Sequence, residues 1–242
     1  MPVGGGTLLH MCGRFAVDSG VNELIEEFVA TGGDPQDWRP SYNIRPTEQV
    51  PVVIESEKTG TLERRLELAR WSLVPGWSKE LKSKFPTFNA RSEDVASKAS
   101  FKSSVVSKRA LIPATGYYEW KTVGGTKTPY FIHSDAIFAF AGLYSWWRNP
   151  ALADDDPARW ALSTTILTMP SVPHLAEIHD RNPVPLPRDF WDEWLSPGID
   201  GDQHLVDAAV ALAVPVASSL TFHEVAPLKN DLNDASLIAP LA

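Results

Sequence analysis

From residue 50 to residue 168 the chain offers one strand-like segment after another, with no helical stretches alternating between them. VPVVIES (50–56), LERRLELARWSLV (62–74), RALIPA (109–114), GYYEWK (116–121), PYFIHS (129–134), IFAFAGLYSW (137–146) and WALSTTILT (160–168) combine β-branched and aromatic residues with short turn-like breaks. VGGTK (123–127) sets two glycines between two of them and reads as a hairpin. A parallel, doubly wound sheet needs a helix after nearly every strand, so this succession excludes that architecture. It predicts an α+β fold built on a curved, barrel-like, mostly antiparallel sheet.

Helical spacing is confined to the flanks. VNELIEEFVA (21–30), DFWDEWLS (189–196) and HLVDAAVALAV (204–214) carry apolar residues on one face. With 242 residues, 43% of them hydrophobic, the chain can bury a sizeable core, and no linker is long enough to force a boundary. One domain is expected over 11–242, with residues 1–10 as an extension absent from the active form. There is no membrane-length apolar run, and MPVGGGTLLH lacks the charged flank and apolar stretch of a signal peptide, so a cytoplasmic location is expected.

The single cysteine, Cys12, rules out a disulfide framework within the chain and a multi-cysteine metal centre, and we expect neither metal nor cofactor. GxxxxGK[ST] and GxGxxG stretches are absent, which argues against nucleotide hydrolysis. The net charge of −8 argues against a general polyanion binder. That charge is uneven, however. Residues 79–109 hold eight Lys or Arg against three acids, a net +5, while the remainder carries −13. A basic strip on an acidic body suits either a local anionic ligand or a solvated face.

Polar residues stand out in four short contexts: MCGRFAV (11–17), PTFNARSED (86–94), TGYYEWK (115–121) and AEIHDRNPV (176–184). Taken singly they are ordinary. Cys12 reads as a small core residue, Asn89 as the cap of a helix opening at Ala90, Glu119 as the outward member of an alternating strand, and His179 as a structural histidine.

Taken in order they resemble a known family. MCGRF, YN-x-x-P (Tyr42, Asn43, Pro46), W-x-L-V-P-x-W (Trp71 to Trp77), FNAR-x-E (Phe88 to Glu93), GYYEW (Gly116 to Trp120), IHDR-x-P (Ile178 to Pro183) and the closing LNDASLIAPL resemble the SRAP family of SOS-response-associated peptidases and abasic-site-processing proteins. The resemblance implies a sensor of abasic sites in single-stranded DNA that captures them through a cysteine exposed at the N-terminus when the initiator methionine is removed. Here those residues are Met11 and Cys12. It implies catalytic roles for Cys12, Asn89, Glu119 and His179, and DNA contacts by Arg14, Asn43, Trp71, Trp77, Arg91 and Arg181. A monomer is expected, associated with the nucleoid when bound to damaged DNA.

The chemistry explains why a cysteine at that place matters. An α-amine, with a pKa of about 7.7–8.0, has a far larger unprotonated fraction at neutral pH than a lysine amine and condenses more readily with the aldehyde of an opened abasic sugar. The adjacent thiol then closes a thiazolidine. The competing expectations are a cysteine peptidase or amidohydrolase using Cys12 with His179 as nucleophile and base, and a module that binds single strands without covalent chemistry. Removal of the chain's own N-terminal residues would itself be a peptidase activity.

Overall fold

The computed structural model describes residues 13–34, 36–58, 60–83 and 85–241, so Cys12 and the predicted extension 1–10 lie outside the described residues. Among the described residues eleven strands form one mixed sheet. In chain order they are β1 (Phe15–Val17), β2 (Ser41–Ile44), β3 (Gln49–Lys58), β4 (Thr61–Trp71), β5 (Asn89–Arg91), β6 (Arg109–Val123), β7 (Thr126–Arg148), β8 (Trp160–Pro170), β9 (Arg181–Pro183), β10 (Pro185–Leu186) and β11 (Thr221–Glu224). The helices are α1 (Val21–Phe28), α2 (Lys102–Ser107), α3 (Trp191–Leu195) and α4 (Gln203–Ser219).

Gly124 and Gly125 both take positive φ, 57° and 87°, the conformation a tight two-residue hairpin requires of its loop. They join β6 to β7 in one long antiparallel ladder running from Val123↔Thr126 to Arg109↔Leu143. Pairing then passes from β7 to β8, β4, β3 and back to β6, so the sheet curls into a ring. Most pairings are antiparallel. The β4–β8 seam is parallel and only two residue pairs long, and β5 also runs parallel to β8, so the ring is not a true barrel.

The curl explains why sequence segments fuse. Residues 109–114 and 116–121 belong to one strand with a register shift between Ala114 and Gly116, and 129–134 and 137–146 are likewise one strand. A bulge bends a strand without ending it, so a break in apolar pattern need not be a turn.

The main core fills the ring. Phe15, Trp71, Tyr117 and Phe140 meet there, with Phe15 edge-on to Trp71 at 4.9 Å between ring centroids. A smaller cluster lies on the other side of β6, where Ala16, Tyr118 and Phe131 receive Val225 from the C-terminal segment. That contact seats the segment after β11 beside the start of β1.

One residue of the basic strip is not on the surface. Arg109 is buried, and its guanidinium donates to the carbonyls of Trp194, Val105, Val106, Ser196 and Ile199. It holds the end of α2 against the segment around α3. No helix among the described residues is long and apolar enough to cross a membrane.

Candidate active site

β1 determines where the chain enters the site. It pairs antiparallel with β6 through Phe15↔Tyr117 and Ala16↔Gly116, and Tyr118 N–H donates to the Arg14 carbonyl at 2.9 Å. The bond to Arg14 carries the chain toward its start alongside Tyr118, the residue before Glu119. Alternation along β6 turns Glu119 to the same side as Tyr117, toward the ring interior, and the carboxyl-bearing residue is 1% exposed. The outward-facing reading of Glu119 is therefore overturned. A carboxyl group is buried at high cost unless it is partnered, which sets Glu119 apart from the apolar residues around it.

Asn89 comes from the opposite side of the ring. It opens β5, whose residues pair with β8 as Asn89↔Ile166, Ala90↔Leu167 and Arg91↔Thr168. Asn89 is thus a strand residue, and no helix opens at Ala90 for it to cap. Ala90 faces the core, while Asn89 and Arg91 line a cavity of about 370 Å³ together with Phe85, Thr87, Lys98 and Phe101. Arg91 is exposed, and Lys98 pairs with Asp94 at 2.7 Å.

His179 follows a single 3₁₀ turn and is largely covered. Its Nδ1 lies 3.1 Å from the Arg181 N–H, 3.2 Å from the Arg181 carbonyl oxygen and 3.2 Å from Asp180 Oδ1. Nδ1 accepts from the Arg181 amide when the ring proton sits on Nε2, and donates to the Arg181 carbonyl or Asp180 when it sits on Nδ1.

Arg181 ties this turn to β5. Its Nη2 donates to Glu93 Oε2 at 2.9 Å, to the Thr168 carbonyl at 2.8 Å and to Thr168 Oγ1 at 3.2 Å, while Nη1 pairs with Glu93 Oε1. The Arg181 hydrogen bond, chief among the causes, holds the Glu93 carboxyl below the usual range. On the other flank Lys121, two residues beyond Glu119, pairs with Glu177, two residues before His179, at 3.3 Å. Glu119, Asn89 and His179 thus stand on three segments linked by two ion pairs.

The remaining expected residues divide. Arg14 Nη1 donates to Asn43 Oδ1 at 2.7 Å, and burial, joined by the charge of Arg45, depresses its pKa. Asn43 is 6% exposed, and its Nδ2 donates to the Lys229 and Leu232 carbonyls at 2.9 and 2.7 Å. The expected DNA contact by Asn43 is therefore corrected. Its amide joins the start of the chain to the C-terminal segment, where Asn233 Oδ1 also accepts from Tyr42 N–H at 2.7 Å. Trp71 is likewise corrected. It is 0% exposed, with its Nε1 donating to the Phe88 carbonyl at 2.8 Å, and presents no ring face for a base. Trp77 is 68% exposed on the loop between β4 and β5. Phe85, 77% exposed, lines the same cavity as Asn89 and was not among the residues expected from the FPTF segment.

A sheet curled into a ring, with a buried acid on β6 and two ion pairs tying β6 and β5 to the turn that carries His179, has known counterparts. The chain matches the family of SOS response associated peptidases, SRAP, over residues 11–232, and belongs to that family. It is 38% identical over 192 residues to the Bacillus subtilis abasic site processing protein YoaM, covering 77% of this chain and 80% of that one. It is 30% identical over 225 residues to the Gallus gallus abasic site processing protein HMCES, covering 81% of this chain and 64% of that longer protein. A crystal structure of a protein from Bacteroides thetaiotaomicron shares the fold, with a TM-score of 0.77 at 20% identity over 96% of this chain and 100% of that one.

Proposed function

We propose that the protein processes abasic sites by capturing them covalently in single-stranded DNA, through a thiazolidine formed by Cys12 once it is the first residue. The observation that carries this reading is the pairing of β1 on β6, extended by the Tyr118 N–H bond to the Arg14 carbonyl, which holds the chain two residues after Cys12 next to the neighbour of the buried Glu119. The names of the related proteins support the choice of lesion.

In this mechanism the opened sugar presents an aldehyde carbon. The α-amine of Cys12 adds to it and water leaves, giving an imine; the thiol sulfur then bonds to the imine carbon and its proton passes to nitrogen. Glu119 relays protons between amine, carbinolamine and water. Asn89 holds the amine or the sugar hydroxyl, and His179 acts on the sugar oxygen during ring opening and reversal. Arg14, Arg91 and Arg181 meet phosphates, and Trp77 and Phe85 offer stacking faces to the bases beside the lesion. The active chain begins at Cys12, with residues 1–11 removed by trimming of Met11 or by self-cleavage, and it acts as a monomer on damaged DNA.

Intact mass measured before and after incubation with a single-stranded oligonucleotide carrying one abasic site tests the reading. A chain starting at Cys12 should gain the oligonucleotide mass, less water, as an adduct that survives heat and denaturant. Cys12→Ala should keep the fold and weak affinity but lose that adduct. A heat-stable adduct of normal yield in Cys12→Ala, or on a chain retaining residues 1–11, would overturn the mechanism.

A further inference from the structure

The FNAR-x-E and IHDR-x-P segments each carry a charged residue, Glu93 and Arg181, and the structure pairs the two. We propose that Glu93 is a positioning residue: by gripping the Arg181 fork it fixes the turn that carries His179 against the strand that carries Asn89. The proposal rests on the role given to His179 above and adds a residue to which that reading assigned nothing.

Three observations carry it. First, the Arg181 side chain is only 12% exposed and its fork meets both oxygens of Glu93, with two further acceptors on Thr168. Exposed single ion pairs contribute little, but a bidentate, largely covered guanidinium has a fixed orientation. Second, Thr168 lies between the two segments, paired with Arg91 of β5 on one side and with Pro183 of β9 on the other. The guanidinium therefore braces the two strands that flank β8, across the residue they share. Third, the braced residue is the one whose backbone N–H meets His179 Nδ1 at 3.1 Å. Displacing Arg181 displaces the partner that orients the imidazole. Glu93 touches no reacting group in this account; it acts through Arg181 on His179.

The competing assignment makes Arg181 a phosphate contact alone and Glu93 a bystander. The two predict different effects for Glu93→Gln, which keeps size and one acceptor but removes the charge. A bystander carboxylate repels DNA, so its neutralisation should tighten half-saturation and leave the rate at saturating DNA unchanged. A positioning carboxylate should instead cost at least tenfold in the saturating rate of adduct formation or reversal on the abasic single strand, with half-saturation within about twofold of the parent. Glu93→Asp, which keeps the charge but withdraws it by one methylene, should fall between parent and Gln and serves as the second variant if Gln does not fold.

An independent arm uses DNA-free protein: the His179 ring proton resonances, assigned by their loss in His179→Gln, should shift or broaden in Glu93→Gln. Unchanged His179 resonances together with an unchanged saturating rate would overturn the proposal. If the parent formed no heat-stable adduct, the proposed function would fail, while the resonance arm would still report on the brace.

Discussion

Glu119 stands on a strand whose neighbours are aromatic or apolar, and at 1% exposure it occupies a place where the fold alone would favour a hydrocarbon. Glu119→Gln keeps the volume and two hydrogen-bonding ends, so the fold should survive while proton transfer is lost. The rate of adduct formation, followed by denaturing electrophoresis, should fall by about 10²–10⁴-fold, the range typical of a lost general acid–base. The identities of such residues were legible in short segments of sequence, but their directions were not. Alternation along an isolated strand pointed Glu119 outward because both faces of β6 are covered, a condition that only the two packed clusters reveal. Asn89 read as a cap because the three residues of β5 have no pattern of their own and become a strand only beside β8. Asn43 and Trp71 lay in segments correctly singled out, yet their side chains hold the chain together instead of facing a ligand.

At the scale of elements, the bend in β6 brings the first strand and the acid together. Gly116 sits at that bend, and a Cβ there would lie 2.4 Å from Phe131 Cζ and 2.7 Å from the Ile132 carbonyl oxygen. The oxygen belongs to the paired backbone and cannot swing aside. Gly116→Ala should therefore cost about 1–3 kcal/mol, as overpacking does, measured as a shift of the urea midpoint with an unchanged slope. The hairpin and the helices α1, α3 and α4 were readable in advance because Gly-Gly turns and amphipathic periods are local properties, whereas α2, six residues long and too short to show a period, interrupts the succession of strands unannounced. The two- to four-residue strands β1, β2, β5, β9, β10 and β11 were not, since each exists by virtue of a partner distant in sequence. Closure of the ring through a two-residue parallel seam has no local signature at all.

Over the whole molecule, an acidic body carries a limited basic surface. Arg109 is spent on internal carbonyls and Lys98 is paired with Asp94, which leaves Arg91 exposed at the cavity, with Lys79, Lys82 and Lys102 exposed elsewhere on the strip. With few phosphates neutralised, the logarithm of the capture rate at sub-saturating DNA should fall only shallowly with the logarithm of salt. Capture within continuous duplex should be slow, because reaching the sugar there requires unstacking at a cost of a few kcal/mol. Equal rates on single-stranded and duplex abasic substrates across a salt series would refute this account of the basic surface.

The same scale shows how the first strand is secured. Asn43 is bonded to carbonyls 186 and 189 residues further along the chain, and Val225 fills the cluster beneath β1. A ribosome must therefore finish and release nearly two hundred intervening residues before the beginning of the protein can be locked in place. The first strand and the Arg14–Asn43 pair beside it are thus secured late, once the segment that carries Lys229 and Leu232 has left the ribosome.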